Sequence, residues 1–196
     1  MKTQFGPQRI LFPMPVSLVV TGTMEQANIV TIAWVSLLTS KPPTLGISVG
    51  TRGFSGKEIL KNGHFTVNIA SADIMVEADF CGINSGRDVD KFKETGFTKL
   101  PSKHVESPII KECPLNIECK LTGSSIVGQT NHFIGEILEV HMDNDKLREP
   151  DNPGTYIAEA MNPLIYMGGA REYRKLGNKI GDAYSVGKNL KDKKFS

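Results

Sequence analysis

Three groups of residues in this 196-residue chain have the type and spacing to do chemistry. Arg52, Ser55 and Lys57 gather where the sequence reads as the start of a helix. A helix start leaves backbone N–H groups unpaired and carries partial positive charge, so the three residues suggest a phosphate seat. The hydroxyls of Thr31, Ser36, Thr39 and Ser40 recur through the otherwise apolar run from Asn28 to Ser40. A buried hydroxyl needs a partner, which is either a neighbouring strand's backbone or a polar ligand. His132 heads a strand after the polar turn Gly128-Gln129-Thr130-Asn131. An imidazole there can exchange hydrogen bonds or carry charge at a cavity rim, or it is an idle surface histidine.

The elements that must position these groups follow from periodicity and punctuation. Val16 to Thr23 is a strand by composition, and Met24-Glu25-Gln26-Ala27 turns it into the Asn28 strand as an antiparallel pair. Pro42-Pro43 breaks the run and leads into Thr44 to Val49, which alternates as a half-buried strand does. Ser55 and Glu58 have capping-box spacing, and Asn62-Gly63 is a helix stop, so a helix is predicted over 56–62. His64 to Ala70 alternates with Phe65, Val67 and Ile69 toward the core and His64 toward solvent. A short helix is predicted from Ser71 to about Phe80, and one or two helical turns between Asp88 and Gly96. Leu115 to Leu121 and His132 to Met142 read as complementary strands. Residues 143–153 form a charged loop, and the apolar run Leu164 to Gly169 precedes a basic segment. Five or six strands with helices inserted among them predict a mainly β fold, an antiparallel barrel with helical additions. Neither the dinucleotide-binding glycine fingerprint nor the Walker lysine signature is present.

Composition narrows the function. Twenty-three basic and 21 acidic residues leave a net charge of +2, which gives no electrostatic case for nucleic acid or an anionic membrane. The apolar run Ile10 to Val20 is too short to span a bilayer and holds two prolines, and the N-terminus lacks a signal-peptide core, so a cytoplasmic protein is expected. Cys81, Cys113 and Cys119 have no metal spacing, and along an extended strand the last two are about 20 Å apart, too far to bridge. They read as buried thiols.

Asn28 to Trp34, the Ser40-Lys41-Pro42-Pro43 connection and Thr51-Arg52…Ser55, taken in this order, resemble the flavin reductase-like family of FMN-binding split β-barrels, its flavoredoxin branch above all. The resemblance runs from about Phe12 to the Gly168-Gly169…Leu176-Gly177 region. It implies a Greek-key split barrel forming one domain over 1–196, with a core at about 8–177 and a basic tail at 188–196. It also implies bound FMN, NAD(P)H as electron donor, a small-molecule or protein acceptor, and a homodimer with flavin near the interface.

On this resemblance Arg52 and Ser55, assisted by Thr51 or Ser40, hold the phosphate. Backbone groups of Asn28, Ile29, Val30, Thr31, Ala33 and Trp34, with the Asn28 and Thr31 side chains, serve the ring, and Ser36 and Asn131 are further cofactor-binding candidates. Trp34 either walls the ring or is plain core. Lys91, an ordinary solvated lysine by composition, approaches the flavin in the family. Tyr166 matches a family tyrosine near the C-terminal strand. Asn131-His132…Gly135-Glu136 matches the pattern Asp-His…Gly-Glu, with Asn131 in place of the acid, and His132 is the expected catalytic residue. Two functions fit: an FMN-dependent oxidoreductase acting on NAD(P)H, or an FMN electron carrier that does not react with it. A flavin-free binding barrel is the weaker third.

Overall fold

Ala33 and Trp34 join two strands that lie on opposite edges of one sheet, and that short connection forces the sheet to curl. The computed structural model describes residues 1–149, 152 and 156–188. Its elements in chain order begin with β1 (Met14–Pro15), β2 (Ser17–Gly22), β3 (Ala27–Ile32), β4 (Val35–Ser40), β5 (Pro43–Gly50) and α1 (Phe54–Asn62). They continue with β6 (His64–Ile69), α2 (Met75–Ile83), α3 (Lys91–Thr95), β7 (Lys99–Leu100), β8 (Ile109–Ile110), β9 (Leu115–Val127) and β10 (Thr130–Met142). Last come α4 (Ala158–Met161), β11 (Ile165–Met167) and β12 (Glu172–Arg174).

The main sheet is antiparallel, in the order β3-β2-β6-β9-β10-β5-β4. Laid flat, its two edges would be about 29 Å apart, at roughly 4.8 Å per strand spacing. The chain from Ile32 to Val35 reaches at most about 11 Å. The sheet therefore closes on itself, and Ser48 N donates to Trp34 O at 3.0 Å, carrying the β4–β5 ladder one residue into the connection. This is the antiparallel split β-barrel with inserted short helices that the sequence predicts. Val19, Leu45, Ile47, Phe65, Val67 and Phe133 fill its interior, and Ile59 of α1 plugs it. A second core lies outside the barrel, where Leu18, Val20 and Ile29 meet Ala78 and Cys81 of α2 and Phe92 of α3. Strand β2 is consequently buried on both faces, which suits its continuous apolar run. β1, β11 and β12 form a separate small sheet, and β7 pairs with β8.

Four local expectations are corrected. The Ser55–Glu58 capping box does not form: α1 starts two residues earlier with Gly53 as N-cap and no side-chain cap. Its stop is as expected, Gly63 taking φ 73°. His64 is not on a solvated face, because the segment carrying β8 covers β6. Thr66 Oγ1 donates to Pro108 O at 2.8 Å, Ile110 N donates to Asn68 Oδ1 at 3.0 Å, and His64 Nδ1 lies 2.9 Å from Ser107 Oγ. The apolar run ending at Ser40 is not uniformly buried, since β4 is an edge strand with Leu37 77% and Leu38 52% exposed. Trp34, 44% exposed, is not core. α3 does match its prediction, with Asp90 accepting from Lys93 N and Gly96 in the left-handed region. All three cysteines are free and buried, and burial pushes the Cys81 thiol up to about 11 and that of Cys119 to about 12. No described helix is long and apolar enough to cross a membrane. The basic tail from 189 and part of the 143–153 loop lie outside the described residues.

Candidate functional site

A cavity of about 370 Å³ opens at the start of α1, lined by Val30, Val49, Arg52, Ser55, Arg87 and Lys91 among others. No side chain caps α1, so its first-turn N–H groups keep their donor capacity. Ser55 Oγ accepts from Asn28 Nδ2 at 2.9 Å, which leaves the hydroxyl proton free to donate. The backbone of Gly86 presses on Asn28: a Cβ there would stand 1.9 Å from Asn28 Oδ1, so no other residue fits.

Lys91 is the unusual member. It is 4% exposed, and its ammonium donates to Ile29 O and Cys81 O, both at 2.7 Å. Burial lowers its pKa, with the nearby Cys81 opposing. A buried ammonium held only by neutral carbonyls is costly unless an anion joins it. Arg87 Nη2 donates to Arg52 O at 3.4 Å, which brings the third cation to the same place. Among the described lining residues there is no Asp or Glu.

A second cavity of about 720 Å³ is lined by Ala33, Trp34, Ser36, Ser48, His132 and the 8–15 segment among others. Two strands run from one cavity to the other. On β5, Ser48 lines the larger and Val49 the smaller, with Arg52 just beyond; β3 leads from Val30 toward Ala33. His132 is register-paired with Ser48, and its Nδ1 lies 2.9 Å from Ser48 Oγ. Its Nε2 has no hydrogen-bond partner among the described residues. Asn131, next along β10, faces the opposite way and packs toward Gly56 of α1, whose Cβ position is 3.3 Å from its Nδ2. Asn131 therefore makes no hydrogen bond to the imidazole, whose ring partner is Ser48.

The structure thus brings together Val30, Arg52, Ser55, Lys91 and, behind Ser55, Asn28. It gathers Ala33, Trp34, Ser36 and His132 in the second cavity. Other expected residues stand apart. Ser40 pairs with Pro43 at the far end of β5, roughly 23 Å from Gly50 at about 3.3 Å per residue; Arg52 lies beyond Gly50, so Ser40 cannot assist there. Thr51 Oγ1 donates to Gln129 O at 3.2 Å, tying the β9–β10 turn to β5. Thr31 Oγ1 donates to Ala78 O at 2.6 Å and fastens β3 to α2, the plainer of the readings open for that hydroxyl. Ile29 is fully buried, and its carbonyl supports Lys91. Tyr166 lines a third cavity, beside Trp34. Ser48, Gly86 and Arg87 were missed. The alternation of Thr44 to Val49 puts Ser48 on the face away from Ile47, and Ser85-Gly86-Arg87 is a loop with a cation, but neither pattern says what it faces.

Beside the larger cavity the surface is apolar, with Trp34, Leu37, Leu38, Ile126, Val127 and Ile134 all exposed on β4, β9, β10 and their connections.

Comparison with known proteins bears on the fold and the family. The family described as flavin reductase like domain matches residues 9–177. The flavoredoxin of Desulfovibrio vulgaris (Miyazaki F) superposes with a TM-score of 0.87 at 34% identity, over 95% of this chain and 100% of that one. The flavoredoxin from Methanosarcina acetivorans gives a TM-score of 0.87 at 29% identity, over 97% of this chain and 100% of that one. An uncharacterised protein of Archaeoglobus fulgidus is 33% identical over 142 residues, 72% of this chain and 80% of its own length.

Proposed function

Because the chain belongs to the flavin reductase like family, we propose that it binds FMN along β3 and β5, which run from one cavity to the other, and passes electrons from NAD(P)H to an acceptor. The observation that carries this reading is Lys91, a buried ammonium without a carboxylate, in a cavity that also holds Arg52 and Arg87. The FMN phosphate supplies the missing counter-charge. Arg52, the Ser55 hydroxyl and the first N–H groups of α1 donate to it, and Lys91 neutralises it from below.

Bound FMN supplies a ring that takes up a hydride and releases its electrons to a second partner. The chain's part is placement. Val30 and Val49 flank the path from the phosphate to the ring, and Trp34 offers a flat apolar wall with Ala33 beside it. Ser48 orients the His132 imidazole through Nδ1, leaving Nε2 to donate to an electron-rich group in the cavity. The exposed apolar face over β4 and the β9–β10 hairpin is the contact with a second copy, and light scattering at about twice 21.5 kDa tests that assembly.

A second reading is favoured by the likeness to two flavoredoxins: the protein carries electrons on FMN without reacting with NAD(P)H. Anaerobic mixing of the FMN-loaded protein with NADH or NADPH separates the two, because only an oxidoreductase bleaches the flavin within seconds. His132→Ala is expected to keep FMN and slow that bleaching at least about tenfold, a barrier change of roughly 1.4 kcal/mol. An unreactive parent leaves the carrier reading, and an unchanged rate in the variant removes His132 from the chemistry.

A further inference from the structure

The third cavity, about 460 Å³, lies where the 8–15 segment crosses the turn after β11, and it is lined by Arg9, Trp34, Tyr166, Gly168, Gly169 and Arg171 among others. The crossing is tight. A Cβ on Gly168 would stand 2.6 Å from Leu11 O and 2.6 Å from Met14 Cε, and Gly169, at φ 95°, has Ile10 Cγ1 3.4 Å from its Cβ position. Met14 is also register-paired with Tyr166. Only glycine lets the segment sit this close, and its seating holds Arg9 and Arg171 on one cavity. Arg171 itself takes φ 58°, in the left-handed region that non-glycine residues seldom adopt.

Neither arginine has an ion-pair partner among the described residues. The third cavity shares Arg9, Ile10, Met14 and Trp34 with the 720 Å³ cavity that contains His132. No Asp or Glu is among the described lining residues of either. Two unpaired guanidinium groups and a phenol, continuous with a cavity bounded by an indole, suit a ligand with a flat ring and a phosphate-bearing extension. The flavin phosphate already has a seat, beside Lys91 across Ser48 and Val49. The second cationic cluster therefore serves a second anion.

We infer that Arg9, Arg171 and Tyr166 form the subsite for the pyrophosphate of the dinucleotide electron donor, whose nicotinamide end then reaches Trp34 and His132. The inference rests on the NAD(P)H reading above and names where that donor is held. Arg9 and Arg171 act in binding, and the Gly168-Gly169 turn positions them.

The test uses ADP-ribose, which carries the donor's pyrophosphate but cannot transfer a hydride, titrated into the FMN-loaded protein by calorimetry. The parent is expected to bind it, Arg9→Gln and Arg171→Gln to weaken binding at least about tenfold each, and added salt to shrink the difference. FMN affinity, measured in parallel, is expected to be unchanged. Equal ADP-ribose affinity in parent and variants, or no binding to an FMN-loaded parent, overturns this inference alone. Loss of FMN in either variant also overturns it, assigning that arginine to the flavin. A parent that takes up no FMN overturns the proposed function, and this inference with it.

Discussion

Charged groups gather near both ends of the β9–β10 hairpin, and the two ends are organised differently. Near the start of β9, Glu118 is completely buried and fully partnered. It accepts from Lys103 N and His104 N at 2.7 Å and from His141 Nε2 at 2.6 Å, while Glu139 holds Lys103 Nζ at 2.6 Å. Burial alone would raise the Glu118 pKa, but these donors outweigh it and the net shift is downward. At the other end, where β10 begins beside β5 and α1, Arg52, Arg87 and Lys91 share a cavity that no described carboxylate lines. Charges that complete one another within the chain fasten the chain to itself: Glu118 pins the 101–108 loop to the barrel. Cations left uncompleted, one of them buried, are arranged for something the chain does not contain.

This contrast predicts that substitutions at the two ends fail in opposite assays. The largest effect is expected from Glu118→Gln. The neutral amide cannot serve three donors, and breaking a buried charge cluster by removing one partner costs roughly 3–5 kcal/mol. Urea unfolding of the FMN-free protein should show that loss, with FMN affinity retained in the surviving folded fraction. A midpoint equal to the parent's would break the contrast at its structural end.

Arg52→Ala should do the reverse. Arg52 is exposed and its side chain holds no described carboxylate, so stability should stay within about 0.5 kcal/mol of the parent. Removing a charge-assisted bond to the phosphate costs roughly 1.5–3 kcal/mol, a loss of one to two orders of magnitude in FMN affinity by equilibrium dialysis. Retained FMN would break the contrast at its functional end.

Local signals made much of this legible. The glycine stops at Gly63 and Gly96, the Asp90 start of α3, the proline break before β5 and the hairpin around Gly128 all act within a few residues. What the sequence hid are partnerships across long separations. Ser55 has capping-box spacing to Glu58, yet its hydroxyl serves Asn28, 27 residues away. The alternation of β6 is real, but its polar face is covered by a segment more than 40 residues on, so Thr66, Asn68 and His64 are partnered rather than solvated. Lys91 is spaced like a solvated helix charge, and only the placement of α3 against β3 and α2 buries it. Ser40 misled because hydroxyl recurrence marks a strand, not which of its ends meets the phosphate.

His64 offers the finest test, since it belongs to the self-completed end without carrying a fixed charge. Its side chain is 14% exposed, with Nδ1 held by Ser107 and an exposed Glu106 carboxylate 4.0 Å from Nε2. Burial lowers its pKa below the ordinary 6.5, and Glu106 only partly opposes this. Above pH 6.5 the folded and unfolded chains both hold the imidazole neutral, so His64 leaves stability flat. Below it the unfolded chain takes up a proton that the folded chain resists, and stability falls with pH by at most about 1.4 kcal/mol per unit until the folded pKa is reached. Glu118 adds nothing in this window. Its depressed pKa contributes stability that is complete above the ordinary 4.5 and is lost only as pH falls further, through the folded value. Unfolding of the FMN-free protein between pH 8 and pH 5 should therefore show a decline that His64→Gln reduces and Glu118→Gln does not. If both variants decline as the parent does, His64 is not held neutral by its burial under the 101–108 loop, and that loop is less firmly closed than the Glu118 clamp implies.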